Sequence, residues 1–192
     1  MKKTNIALLV FLTVFAVEAN SEQFNKEAAI AEAKVTTKAF GGTLKAELIA
    51  AMKAGGPVNA LEVCNAEAMP ITAKIAEEHN ADVFRVSLKN RNPENMANDW
   101  QQKVLRGFDE RAASGEDIAT MASVDVVDID GKKQLRFMKA LPTEGACLAC
   151  HGQQIGADVQ AKLDEFYPED KATGYSLGEV RGAIVVIKDY EK

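Results

Sequence analysis

Cys147-Leu148-Ala149-Cys150-His151 gathers two of the chain's three cysteines and one of its two histidines into five residues. At this composition such a window arises by chance in roughly one of two thousand sequences, so chance explains it poorly. Two thiols three positions apart can reach the two vinyl groups of one porphyrin. A histidine directly after the second is then held under the iron as an axial ligand. The segment therefore reads as the covalent attachment site of one haem c, with Cys147 and Cys150 as thioethers and His151 as the proximal ligand. Two other chemistries use parts of it. A four-ligand zinc site needs one further ligand, for which Cys64, His79 and the carboxylates are the candidates. A thioredoxin-like dithiol wants its C-x-x-C at a helix start within a βαβ pattern, and that pattern is missing.

The opposite side of the iron has several candidate ligands: Cys64, His79, the methionines at 52, 69, 96, 121 and 138, or water. His79 ends a helical stretch beside Glu77 and Glu78, which suits an exposed histidine meeting a helix dipole. Methionines at such spacings are usually core filler. Cys64 lies on an apolar helical stripe, where a thiol is either an inert core residue or a metal ligand. Fifteen residues separate Cys64 from His79, ~22 Å along a continuous helix, so only one of them can approach the iron.

The chain start bears on whether this chemistry is available. Lys2 and Lys3 precede an apolar stretch from Ile6 to Val17, and Val17-Glu18-Ala19 offers small residues for cleavage. A signal peptide over residues 1–19 and an exported, periplasmic-type location are expected. The stretch is shorter than the ~20 apolar residues that span a bilayer, so no membrane anchor is expected after cleavage. Removing two lysines and one glutamate takes the formal net charge from −5 to −6. An acidic protein without a basic run is a poor nucleic-acid binder. Residues 20–192 are enough for one domain with a proper core. In an oxidising compartment Cys64 would be left without a cysteine partner once the other two carry haem.

The elements that must position these groups read as one mixed domain without repeat or linker. Residues 21–54 are rich in strong helix formers, with Gly41-Gly42 as a weak point or break and Gly55-Gly56-Pro57 as a stop. Residues 58–79 carry Leu61, Cys64, Ala68, Ile71 and Ile75 at helical spacing, with Pro70 expected to kink the helix or begin a new one. A strand is expected over 81–88. A helix should begin at Asn92-Pro93, presenting Trp100, Val104, Leu105 and Phe108 inward. Strands 124–129 and 133–138 flank Asp130-Gly131, a strong hairpin signal, and 157–166 is a short helix. "GAIVVIK" at 182–188 is a closing strand. Helices first, then antiparallel strands, predicts an α+β fold.

"LEVCNAEAMPITAKIAEE", "SLKNRNPENMANDWQQKVLRGF", "LPTEGACLACHG" and "YPEDKATGYSLGEVRGAIVVI" together resemble the bacterial single-haem c-type domain family with a PAS-like fold. The resemblance runs from about Ala33 to Ile187. It implies an antiparallel sheet with helices packed on it, and His151 and a cysteine as axial ligands; carried over, that cysteine is Cys64. Arg91, Asn92 and Asn95 would line the haem pocket, although a helix cap and first-turn contacts explain the two asparagines equally well. Arg181 would pair with a haem propionate or form a surface ion pair, and Tyr167 and Tyr175 would shape a loop.

Thiolate donation favours ferric iron, so a low reduction potential is expected. The leading function is electron transfer with a transiently docked redox partner. The alternative is a redox or gas (NO, CO) sensor in which Cys64 is displaced and a separate signalling partner responds. Catalysis is not expected, because with His151 on the iron only His79 remains as an imidazole acid or base.

Overall fold

The computed structural model describes residues 24–190; the expected signal segment over 1–19 lies outside them. The fold is α+β and PAS-like. Helix α1 (Lys26–His79) opens the described chain, followed by strand β1 (Asp82–Val86) and helix α2 (Asp99–Ala113). Strands β2 (Ala122–Ile129) and β3 (Lys132–Pro142) come next, then helices α3 (Leu148–His151) and α4 (Ala157–Phe166) and strand β4 (Val180–Tyr190). The sheet is antiparallel in the order β1-β4-β3-β2.

α1 is two helical arms rather than one rod. Gly55 (φ −156°) and Gly56 (φ 72°, ψ −164°) leave helical geometry, and Pro57 suits the first turn of the second arm because its missing N–H has no helical partner there. Asn59 Nδ2 donates to the Ala51 carbonyl across the break at 2.9 Å. The arms fold back on each other, with His79 Nδ1 3.1 Å from Thr36 Oγ1. The helix runs unbroken through Gly41-Gly42, against expectation. A Cβ at Gly41 would lie 3.0 Å from Ile184 Cδ1, so the glycine serves close packing on the sheet. The backbone also stays helical through Pro70, because Ile71 and Ile75 of the same arm pack into the sheet-facing core.

The sheet carries a core on each face. Ala29, Ala33, Phe40 and Ile75 of α1 pack on Val83, Leu135, Phe137, Ile184 and Val186. Leu105 and Phe108 of α2 pack on Val86, Met138, Ala140, Ala183 and Val185 from the other side. β4 therefore buries alternate residues on opposite faces, which is why it reads as a continuous apolar run. The hairpin turn has Asp130 at φ 52° and Gly131 at φ 80°, the left-handed pair that a two-residue loop of this twist demands.

One expectation shifts. Asn92 does cap, accepting from the Glu94 N–H at 3.0 Å, but what it starts is the 3-10 turn Pro93–Asn95. α2 begins six residues later, where Asn98 and Gln101 satisfy each other's backbone N–H groups reciprocally. Met96 between them is extended and bridges to Ser87, which carries this segment along the end of β1.

Gly182 permits the closest approach of β1 and β4. Its φ is 149°, and a Cβ there would stand 2.3 Å from the Val86 carbonyl oxygen. Gly182→Ala is expected to destabilise the fold by about 3 kcal/mol, from backbone strain and the clash together. Urea unfolding checks this, and a loss below about 0.5 kcal/mol would show that the two strands do not meet so closely.

Candidate functional site

β3 ends at Pro142, and Thr143 then ties the chain down by donating its N–H to Glu179 O and accepting from Gly178 N–H (2.8 and 2.9 Å). This places the 3-10 turn Gly145–Cys147 and the single turn α3 beside the second arm of α1. Lys45 and Glu144 add an exposed ion pair at 2.7 Å. Cys150 packs against Leu61 of α1 and Val159 and Leu163 of α4. The C-x-x-C-H segment is thus held from three sides: by the sheet end, by α1 and by α4.

One cavity brings together Cys64, Cys147, Cys150 and His151, with Arg85, Arg91, Asn92, Asn95, Tyr167 and Arg181 also in its wall. Leu48, Met52, Ala60, Leu61, Ala68 and Met69, all from α1, supply its apolar side. Every cysteine and every site residue expected from the sequence faces this one space. His79 lies outside it, bonded to Thr36, and Met121 and Met138 are fully buried in the core. A second depression between β1, α2 and the 175–182 loop contains Asp109, Glu179 and Lys89 but no cysteine or histidine. Among the described residues no group of three or more His, Cys, Asp or Glu is gathered tightly enough to hold a bare metal ion. The thiols and imidazole stand around a space instead.

His151 is oriented for ligation. Its Nδ1 lies 2.7 Å from the Ala172 carbonyl oxygen; with the proton on Nδ1 donated there, Nε2 carries the free lone pair. Burial, reinforced by Arg181 and Arg91, lowers its pKa to about 2, so the ring is neutral at ordinary pH, as a metal ligand must be. The His151 and Gly152 carbonyls accept from the N–H groups of Tyr175 and Gly174, both at 2.9 Å. Burial raises the Cys64 thiol pKa against the pull of Arg85 and Arg91, and raises Cys150 likewise.

The arginines divide by what already engages them. Arg91 pairs with Asp170 at 3.0 Å, both side chains 10% exposed, and donates to the Cys150 and Ala172 carbonyls. Its donors are thus used to fix the C-x-x-C-H segment against the 170–172 loop. Arg181 donates from Nη1 to Ser87 Oγ (3.1 Å) and Lys89 O (3.3 Å), lies over the Tyr175 ring and leaves its buried Nε without a partner. It is 6% exposed, so the surface ion pair considered from sequence is not what it forms. Arg85 was missed by sequence reasoning, although an arginine within an inward-alternating strand was the available signal. No aspartate or glutamate lines the cavity, whereas three arginines do.

A search of curated proteins finds no match. Among solved structures the chain is similar to the crystal structure of the cyanobacterial heme-protein Tll0287, with a TM-score of 0.56 and 23% identity over 85% of this chain and 95% of that one. That likeness concerns the fold. The sequence matches the model of the Tll0287-like family over residues 7–188, nearly the whole chain, and so the protein belongs to the Tll0287-like family.

Proposed function

We propose that this protein is an exported single-haem c-type redox protein, with Cys147 and Cys150 as thioether attachments, His151 and Cys64 as axial ligands, and low-potential electron transfer as its role. The observation that carries this reading is the convergence of all three cysteines and His151 on one cavity. The residues present fit the group on a second count. A haem brings two carboxylates, and the cavity wall holds buried guanidinium donors, including the partnerless Arg181 Nε, without any acidic side chain. The relative of similar fold is itself described as a heme-protein.

When bound, haem supplies a one-electron couple; the chain's own residues set its surroundings. The Ala172 carbonyl fixes the His151 ring, Arg91 ties the Cys150 carbonyl to the Asp170 loop, and α1 contributes Cys64 to the same cavity. With both axial positions filled by protein there is no open site for substrate, and His79 stands elsewhere, so no catalytic turnover is proposed. Among the described residues no helix is long and apolar enough to cross a membrane. Export rests on the expected segment 1–19, and mass spectrometry of the purified protein should find its N-terminus at Asn20.

A sensing role is the second reading, favoured by one observation. The arm that carries Cys64 also carries Ile75, packed on Val83, Ile184 and Val186, so release of Cys64 would reach the sheet directly. The absorption spectrum of the ferrous protein with and without CO separates the two. An unchanged spectrum is expected for electron transfer. A prompt shift would pass the role to sensing, and a protein isolated without a Soret band, from a host that matures c-type cytochromes, would refute both.

A further inference from the structure

Arg85 sits on β1 opposite Ile184 of β4, on the strand face that also carries Val83 and looks toward α1. Its head enters the cavity shared by Cys64 and His151. Among the described residues it has no hydrogen bond, ion pair or ring contact. A guanidinium carries five N–H donors that cannot be shed by deprotonation in a protein, and an occupant that displaces water from them must offer acceptors in its place. Burial presses on its charge, the nearby Cys147 and Cys64 favour that charge, and Arg91 opposes it.

The other two arginines narrow what Arg85 is for. Arg91 is neutralised by Asp170, so its charge is accounted for within the protein. Arg85 and Arg181 are not, and they repel each other across a wall with no carboxylate. An occupant that brings its own anion is therefore favoured. Sulfur is a weak acceptor, and both nearby thiols are committed elsewhere in the haem reading, so a thiolate does not satisfy a planar fork of N–H groups. A carboxylate does, in the two-point geometry that distinguishes arginine from lysine.

We infer that Arg85 is the residue that binds a carboxylate side chain of the porphyrin. This rests on the haem reading above, and Arg181, the arginine visible from sequence, takes a supporting position because Ser87 and Lys89 already occupy one of its terminal nitrogens.

The test uses the purified holoprotein and its Arg85→Gln and Arg85→Lys variants. Two readouts are taken: the propionate bending band in the resonance Raman spectrum, which follows hydrogen bonding to the carboxylates, and the midpoint potential. In Arg85→Gln the band should move and the potential should fall by the equivalent of about tenfold in the oxidation equilibrium, ~59 mV for one electron. Loss of a cation facing the cavity favours the ferric state. Arg85→Lys should restore the potential while leaving the band displaced, since a point charge lacks the planar fork. A band unmoved in Arg85→Gln overturns the assignment, whether or not the potential falls, because the charge would then act only through space. A wild-type protein that carries no haem withdraws the underlying reading instead, so the two failures are told apart.

Discussion

Replacing both Cys147 and Cys150 with serine is expected to abolish all haem that survives denaturation. Thioether bonds hold the porphyrin when the fold is lost, whereas axial ligation by His151 and Cys64 ends with the geometry that creates it. Haem-stained denaturing gels and the intact mass read this directly: the parent carries one haem, the double variant none. The single variants should each retain a weaker, one-bond attachment. The folded double variant can still gather His151, Cys64 and the arginines around the same cavity, so haem bound only in the native state is compatible with the reading. Stain retained after denaturation is not. It would mean that another residue carries the bond and that the C-x-x-C spacing is incidental.

Cys64→Ala should produce the next largest change, and in the opposite part of the cavity. Covalent haem remains, because the attachment segment is held by Arg91, Thr143 and α4 rather than by Cys64. The midpoint potential should rise by on the order of 100 mV, since an anionic ligand that favours ferric iron has gone and each ~59 mV is a factor of ten for one electron. The ferrous protein should then take up CO readily. Met52 and Met69 share the cavity wall, so a variant that recruits a thioether would still show the rise in potential but bind CO slowly. An unchanged potential and spectrum would remove Cys64 from the iron altogether.

Most of the local architecture was legible because it depends on neighbouring residues. Asp130-Gly131 could take the left-handed conformation a tight hairpin needs, and Gly55-Gly56-Pro57 had to interrupt a helix. The helix 157–166 appears as expected. Errors arose where a distant partner outweighs local propensity. Gly41-Gly42 looked weak only without Ile184 beside it, and no new helix begins at Pro70, whose arm packs on the sheet. Asn92 was rightly seen as a cap, yet the Asn98-Gln101 box, also local, had been overlooked and is where the long helix starts.

The same division runs through the site. The C-x-x-C-H spacing is a property of five consecutive residues, and it alone is what suggests thioether attachment and a proximal histidine. Spacing does not say which other side chains share a space with His151, since helical periodicity treats Cys64 as one more apolar position. Folding α1 beside the C-x-x-C-H turn brings Cys64 into the same cavity. Tertiary structure likewise took Arg91 into an ion pair with Asp170, seventy-nine residues away, buried Arg181 and left Arg85 facing the cavity. Periodicity and spacing report what a residue can do; which charges already have partners is decided by contacts between segments far apart in the chain.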